Sequence, residues 1–187
     1  MNRGMSKRSL KSVVAEISEV AGYLWERGWA EGNAGNLSAD ITALVSRTVG
    51  RRNRTAMKTE RIKPEDLAGR TCYMTAAGSR FRDIARAPEE NLLMIQISRD
   101  LRGYHIIGGG KGTGKRPTSE IATHLRIHGF LRENELSQKA VLHTHPPQLI
   151  ALTHLKPYRS EMALNRILRE MLPEVEIVLP EGVGLAP

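Results

Sequence analysis

Between Leu10 and Trp25 the apolar residues Val13, Val14, Ile17, Val20, Ala21, Leu24 and Trp25 recur at three- and four-residue steps, which predicts an amphipathic helix ending near Gly28. A helix with one apolar stripe is stable when that stripe is buried, so the rest of the chain has to supply a surface that covers it. Apolar runs at residues 36–46, 71–76, 92–98, 103–107, 140–145 and 175–179 read as strands, with Arg99-Asp100 near the turn between the third and fourth. Residues 117–130, 146–155 and 161–172 read as helices, Thr118 or Ser119 being placed to cap the first of these. Hairpin-like strands mixed with helices predict an α/β sandwich of α/β/α type around a largely antiparallel sheet, with no internal repeat. At 187 residues, 40% of them hydrophobic, one core and one domain over 1–187 are expected.

Charged residues Lys11, Glu16, Glu19 and Glu26 interrupt the N-terminal apolar stretch, so neither a signal peptide nor a membrane span is expected and a cytoplasmic protein is. Cys72 is the single cysteine, which rules out an intrachain disulfide and a multi-thiolate zinc site. Any metal therefore depends on His and carboxylate ligands. The net charge of +8 suits a phosphate-bearing substrate or another polyanion. Much of the excess lies between Arg47 and Lys63, and with no aromatic residues interleaved it reads as a solvated basic loop rather than a nucleic-acid surface.

Within the expected strand 140–145, His143 and His145 stand two apart, so alternation puts both imidazoles on one face, a geometry for gripping one ion. A lone His-X-His pair also arises by chance, and zinc needs further ligands. Glu120, in Arg116-Pro117-Thr118-Ser119-Glu120, is the leading carboxylate, although an acid in a first helical turn also answers simply to the helix dipole. Thr118, Ser119 and the unbonded N–H groups of a helix start would form an anion site beside it. Asn33-Ala34-Gly35-Asn36 is either a second phosphate-binding turn or an ordinary helix-to-strand connection.

Two further patterns compete. Gly109-Gly110-Lys111-Gly112-Thr113-Gly114-Lys115 comes close to a P-loop but continues with Arg116 where Ser or Thr would hold magnesium, which ranks a nucleotide binder below the metal reading. Glu120, His124 and His128 share a helix face at four-residue spacing, but at about 5.4 Å per turn three in a row are too spread for one ion. His124 and His128 are thus expected to be packing or surface residues.

The ordered motifs Gly32-Asn33-Ala34-Gly35-Asn36-Leu37-Ser38, Thr75-Ala76-Ala77-Gly78-Ser79-Arg80-Phe81-Arg82, Arg116-Pro117-Thr118-Ser119-Glu120, His143-Thr144-His145 with Leu149-Ile150-Ala151-Leu152-Thr153, and Pro180-Glu181-Gly182-Val183-Gly184 run through most of the chain. Together they resemble the class II aldolase and adducin family. That resemblance implies a zinc-dependent carbon-carbon lyase acting on a ketose 1-phosphate, with Zn2+ on His143 and His145, Glu120 as acid/base, and the phosphate held by Asn33, Gly35, Asn36, Gly78, Thr118 and Ser119. It also implies a homotetramer with sites between subunits, in which Glu174, matching a glutamate just before the last strand, reaches a neighbour's site. Ala77 stands where similar members have a phosphate-binding Ser. The family's third zinc His has no match before Pro187, so either the chain is shortened, with low or no activity expected, or the zinc relies on fewer protein ligands. The rival the resemblance carries is an adducin-like assembly protein without catalysis, against which His143, His145 and Glu120 argue.

Overall fold

Ser9 and Ser12 close the start of the first helix reciprocally: the Ser12 N–H donates to Ser9 Oγ at 3.1 Å and the Ser9 N–H to Ser12 Oγ at 2.9 Å. The helix, α1, runs Leu10–Glu26 and turns at Gly28, whose φ of 68° suits glycine. The computed structural model describes residues 8–45, 54–56, 65–111 and 114–184. These divide into two compact units, 1–144 and 145–187.

The first unit holds a six-stranded sheet in the order β2-β5-β4-β3-β1-β6, every neighbouring pair antiparallel. The strands are β1 Asn36–Asp40, β2 Arg54–Ala56, β3 Thr71–Thr75, β4 Leu92–Ile97, β5 Gly103–Gly109 and β6 Ala140–His143. Helices α2 (Phe81–Arg86), α3 (Pro88–Asn91) and α4 (Ile121–Glu133) complete it. Helix α1 buries Val13, Ile17, Ala21 and Leu24 with Leu37, Ala39, Tyr73, Phe81 and Ile84. Each large apolar side chain so buried contributes roughly 1.5–3 kcal/mol. A second cluster joins Cys72, Met74, Leu93, Ile95, Ile97 and Tyr104 with Leu125 of α4. Alternation along β3, with Tyr73 in one cluster and Cys72 and Met74 in the other, makes the sheet the middle layer of an α/β/α sandwich.

Several local expectations change. The first strand stops at Asp40 rather than running to 46, because the Asp40 carboxylate accepts from the Thr42 N–H at 3.0 Å and bends the chain into a short 3-10 turn at Thr42–Leu44. Arg54–Ala56 pairs with β5 inside the stretch read as a basic loop, the remainder of which lies outside the described residues. Helix α4 begins at Ile121 rather than 117, since Pro117 is bridged to Ala76 and the Thr118 N–H donates to Thr75 O at 2.9 Å. Neither Thr118 nor Ser119 is its N-cap; Glu120 is.

Glycines 109 and 110 serve packing. A Cβ at Gly109 would lie 2.1 Å from the Leu92 carbonyl oxygen, and one at Gly110 would lie 2.4 Å from Leu93 Cδ2. Lys115 donates its ammonium to the Glu90 carbonyl, and extended backbone, not a helix, follows it. This departs from the strand-loop-helix order of a P-loop; Gly112 and Thr113 lie outside the described residues.

The second unit contains α5 Pro147–His154, α6 Glu161–Met171 and α7 Val175–Val178. The sequence predicts a strand in place of the last. A strand needs a partner for its backbone, whereas here Val175, Glu176 and Ile177 N–H groups donate three residues back, to Leu172, Pro173 and Glu174 carbonyls. The Asn165 side chain clamps Val183 by two bonds, its amide donating to Val183 O at 2.9 Å and its Oδ1 accepting from Val183 N at 2.8 Å. Among the described residues no helix is long and apolar enough to cross a membrane.

Candidate functional site

Three segments far apart in sequence converge on the α4 side of β1 and β6. Strand register sets Asn36 opposite His143 and Ser38 opposite Val141, so these four side chains share a face, while Leu37 and Leu142 take the other. Because α4 starts only at Ile121, Glu120 sits at its mouth, and Glu120 Oε2 lies 2.6 Å from His143 Nδ1. Both side chains are partly open to solvent, 38% and 39% exposed. An Nδ1–H donated to the carboxylate puts the neutral ring's lone pair on Nε2, the tautomer a metal takes.

Gly35 makes this approach possible. Its φ is 81°, and a Cβ there would fall 2.6 Å from the Phe81 ring and 2.8 Å from the His143 carbonyl oxygen. The turn after β3 is brought in by another route: Ala76 bridges Pro117 and the Ala77 N–H donates to Arg116 O at 2.7 Å, setting the Ala77-Gly78 turn beside Thr118. Gly78, with φ 76° and open space where a Cβ would be, needs glycine for conformation alone. Thr118 is 7% exposed and its Oγ1 accepts from the Glu120 N–H at 3.3 Å; Ser119 and Asn33 are exposed.

Strand β6 ends at His143, so the expectation that His143 and His145 flank one residue of a strand is corrected. Pro146 and Pro147 follow, and Pro147 opens α5, which takes the chain out of extended pairing. His145 and Glu174 both belong to the second unit and both are exposed. Glu174 precedes a helical turn instead of a strand.

Three residues for which the sequence predicts no part in catalysis or binding stand behind the site. Ser38 Oγ lies 2.7 Å from His124 Nδ1 and 2.8 Å from His128 Nε2, and His124 Nε2 reaches Asn36 Oδ1. Both histidines are packing residues, as expected, and buried ones. Burial pushes the His124 imidazole below its ordinary range, with His143 acting the same way and Glu120 in opposition. Burial likewise brings His128 down to about 4, against the pull of Asp40. The signal that could have found them is that Asn36 and Ser38, two apart on β1, meet His124 and His128, one turn apart on α4.

Among the described residues no group of three or more His, Cys, Asp or Glu could hold a metal ion. What the fold does assemble is an imidazole nitrogen and a carboxylate oxygen at one opening, donors of the kind zinc accepts.

The sequence profile of the class II aldolase and adducin N-terminal domain matches residues 15–184. The chain belongs to that family. Among relatives of the aldolase branch, the rhamnulose-1-phosphate aldolase of Bacteroides thetaiotaomicron is 36% identical over 183 residues, 97% of this chain and 67% of its own length. That of Listeria welshimeri is 32% identical over 174 residues, 92% of this chain and 62% of its own. The chain thus spans about two thirds of the length of these relatives. The crystal structure of a sugar-phosphate aldolase from Thermotoga maritima superposes with a TM-score of 0.77 at 27% identity, covering 95% of this chain and 72% of that one. The class II aldolase fold agrees with the α/β/α sandwich around an antiparallel sheet expected from sequence.

Proposed function

We propose that this chain carries the catalytic centre of a metal-dependent aldolase that cleaves a ketose 1-phosphate, with L-rhamnulose 1-phosphate as substrate and dihydroxyacetone phosphate and L-lactaldehyde as products. The contact between Glu120 and His143 carries this reading: a carboxylate from a helix mouth and an imidazole from a strand end meet at a partly open site. His143 and His145 would hold zinc. When bound, the ion supplies positive charge that stabilises the electron density left on the ketone fragment as the C3–C4 bond breaks. Glu120 moves the proton, taking it from the hydroxyl at C4 and returning one to the ketone fragment. Asn33, Gly35, Asn36, Gly78, Thr118 and Ser119 hold the phosphate. Support comes from Asn36 facing His143 and from the Gly78 turn lying beside Thr118. In a homotetramer Glu174 would act on a neighbouring subunit's substrate.

Zinc content measured together with cleavage of L-rhamnulose 1-phosphate by the purified protein tests the reading. Bound zinc and release of dihydroxyacetone phosphate support it. Zinc-free protein that still cleaves the substrate, or unimpaired turnover by Glu120→Ala, ends it.

A further inference from the structure

The polar groups behind the site form one closed line. From α4 to the sheet it runs His128, Ser38, His124, Asn36, and these residues are 3%, 0%, 1% and 6% exposed. Water is excluded from most of it, so each donor has to find its acceptor within the line. Both imidazoles are held neutral by burial, and each therefore carries one N–H. Ser38 has a single proton and stands between two ring nitrogens. If it donates to His124 Nδ1 it accepts from His128 Nε2–H, and His124 then donates from Nε2. If it donates to His128, every bond reverses and Asn36 has to offer its amide nitrogen to His124. Only two patterns are self-consistent, and they turn the Asn36 amide in opposite senses.

We propose that the His128-Ser38-His124 line is a positioning relay that turns the Asn36 carbonyl inward and its amide N–H groups toward the substrate phosphate. The placement of Asn36 Oδ1 against His124 Nε2 selects this direction. His128 Nε2–H donates to Ser38 Oγ, the Ser38 hydroxyl donates to His124 Nδ1, and His124 Nε2–H donates to Asn36 Oδ1. The end of Asn36 left for the site is then a pure donor, matched to an anion, whereas the reversed line would present a carbonyl and repel one. Successive bonds of one sense polarise each other in either line, so the side-chain atom that Asn36 turns to His124 fixes the sense of the whole line. The inference rests on the reading of Asn36 as a phosphate ligand and adds what orients it.

Two measurements test it. In the nitrogen-15 spectrum of the ring-labelled chain, His124 and His128 are both expected to carry their proton on Nε2; both on Nδ1 would overturn the relay, with no substitution needed. Titration with inorganic phosphate supplies the second. Asn36→Ala, Ser38→Ala and His128→Leu should each weaken binding about tenfold, the size of one lost hydrogen bond to a charged group. His128→Gln, which keeps a donor at the Nε2 position, should bind as the parent does. If Asn36→Ala weakens binding while Ser38→Ala and His128→Leu do not, the relay is wrong and the phosphate reading stands. If Asn36→Ala leaves binding unchanged, the phosphate reading falls and the relay's purpose with it.

Discussion

The Ser38 hydroxyl joins two helical imidazoles to the sheet, 2.7 Å from His124 and 2.8 Å from His128. This burial gives the fold a pH dependence of definite sign. His128 is lowered from 6.5 to about 4 by desolvation, so between those values the unfolded chain binds a proton that the folded chain refuses. Stability is therefore complete above pH 6.5 and is lost as pH falls toward 4, by roughly 3 kcal/mol at most. Urea midpoints measured between pH 4 and 7 should slope downward on acidification and flatten in His128→Gln. Identical slopes in the two proteins would refute the assignment.

Glu120 is expected to matter to chemistry and hardly at all to folding, since it is partly exposed and sits at a helix mouth. Glu120→Gln should lower kcat for aldol cleavage by about 10²–10⁴-fold, the range for a lost acid/base group. Zinc content should remain at the parent level. A variant that loses its zinc in parallel with its activity would point to Glu120 as a ligand in place of a proton carrier.

Gly35→Ala brings a methyl group within 2.6 Å of the Phe81 ring and 2.8 Å of the His143 carbonyl at a φ of 81°. Overpacking and the left-handed backbone together should cost about 2–4 kcal/mol, read as a fall in the urea midpoint. By contrast Gly78→Ala, at φ 76° but with open space around the new methyl, should cost only about 1 kcal/mol. Equal costs at the two positions would mean the close approach to His143 is not rigid.

The Arg70 guanidinium grips Asp40 Oδ2 with bonds of 3.0 and 2.5 Å, while Thr42 serves the other oxygen. Burial alone would raise the Asp40 carboxyl; the two Thr42 bonds and Arg70 outweigh it and hold the group below its usual range. Arg70→Met leaves that carboxylate buried without its cation and should cost about 3–5 kcal/mol at neutral pH. The parent should lose this stabilisation only in acid, as pH falls below 3.8. A loss under 1 kcal/mol in the chemical denaturation of Arg70→Met would contradict the pairing.

Much of the layer plan was legible from periodicity. The three-to-four spacing after Leu10 specified α1, and the apolar runs at 71–76 and 92–98 specified central strands, because burial imposes a side-chain rhythm that local sequence has to obey. Motif chemistry also pointed to Glu120, His143 and the Asn33–Asn36 turn, since anions and metals demand particular atoms wherever the chain places them. Element ends were not legible in the same way. Residues 175–179 have the β-branched pattern of a strand and form a helical turn, because a strand exists only where another strand pairs with it. The start of α4 lies later than its sequence predicts because the Ala76–Pro117 bridge holds that segment extended, and nothing near Pro117 in the sequence announces it.

Taken alone, the amino-acid sequence determined which faces are apolar, which residues have the chemistry for an anion and a metal, and the family they belong to. The tertiary structure decided which of them meet: Asn36 with His143 across a strand pair, Glu120 with His143 from a helix mouth, and Ser38 with two histidines of α4. The physical reason is range. Periodicity and propensity act over a few residues, whereas a hydrogen bond between positions 38 and 124 depends on sheet register and helix placement, which the whole core sets together.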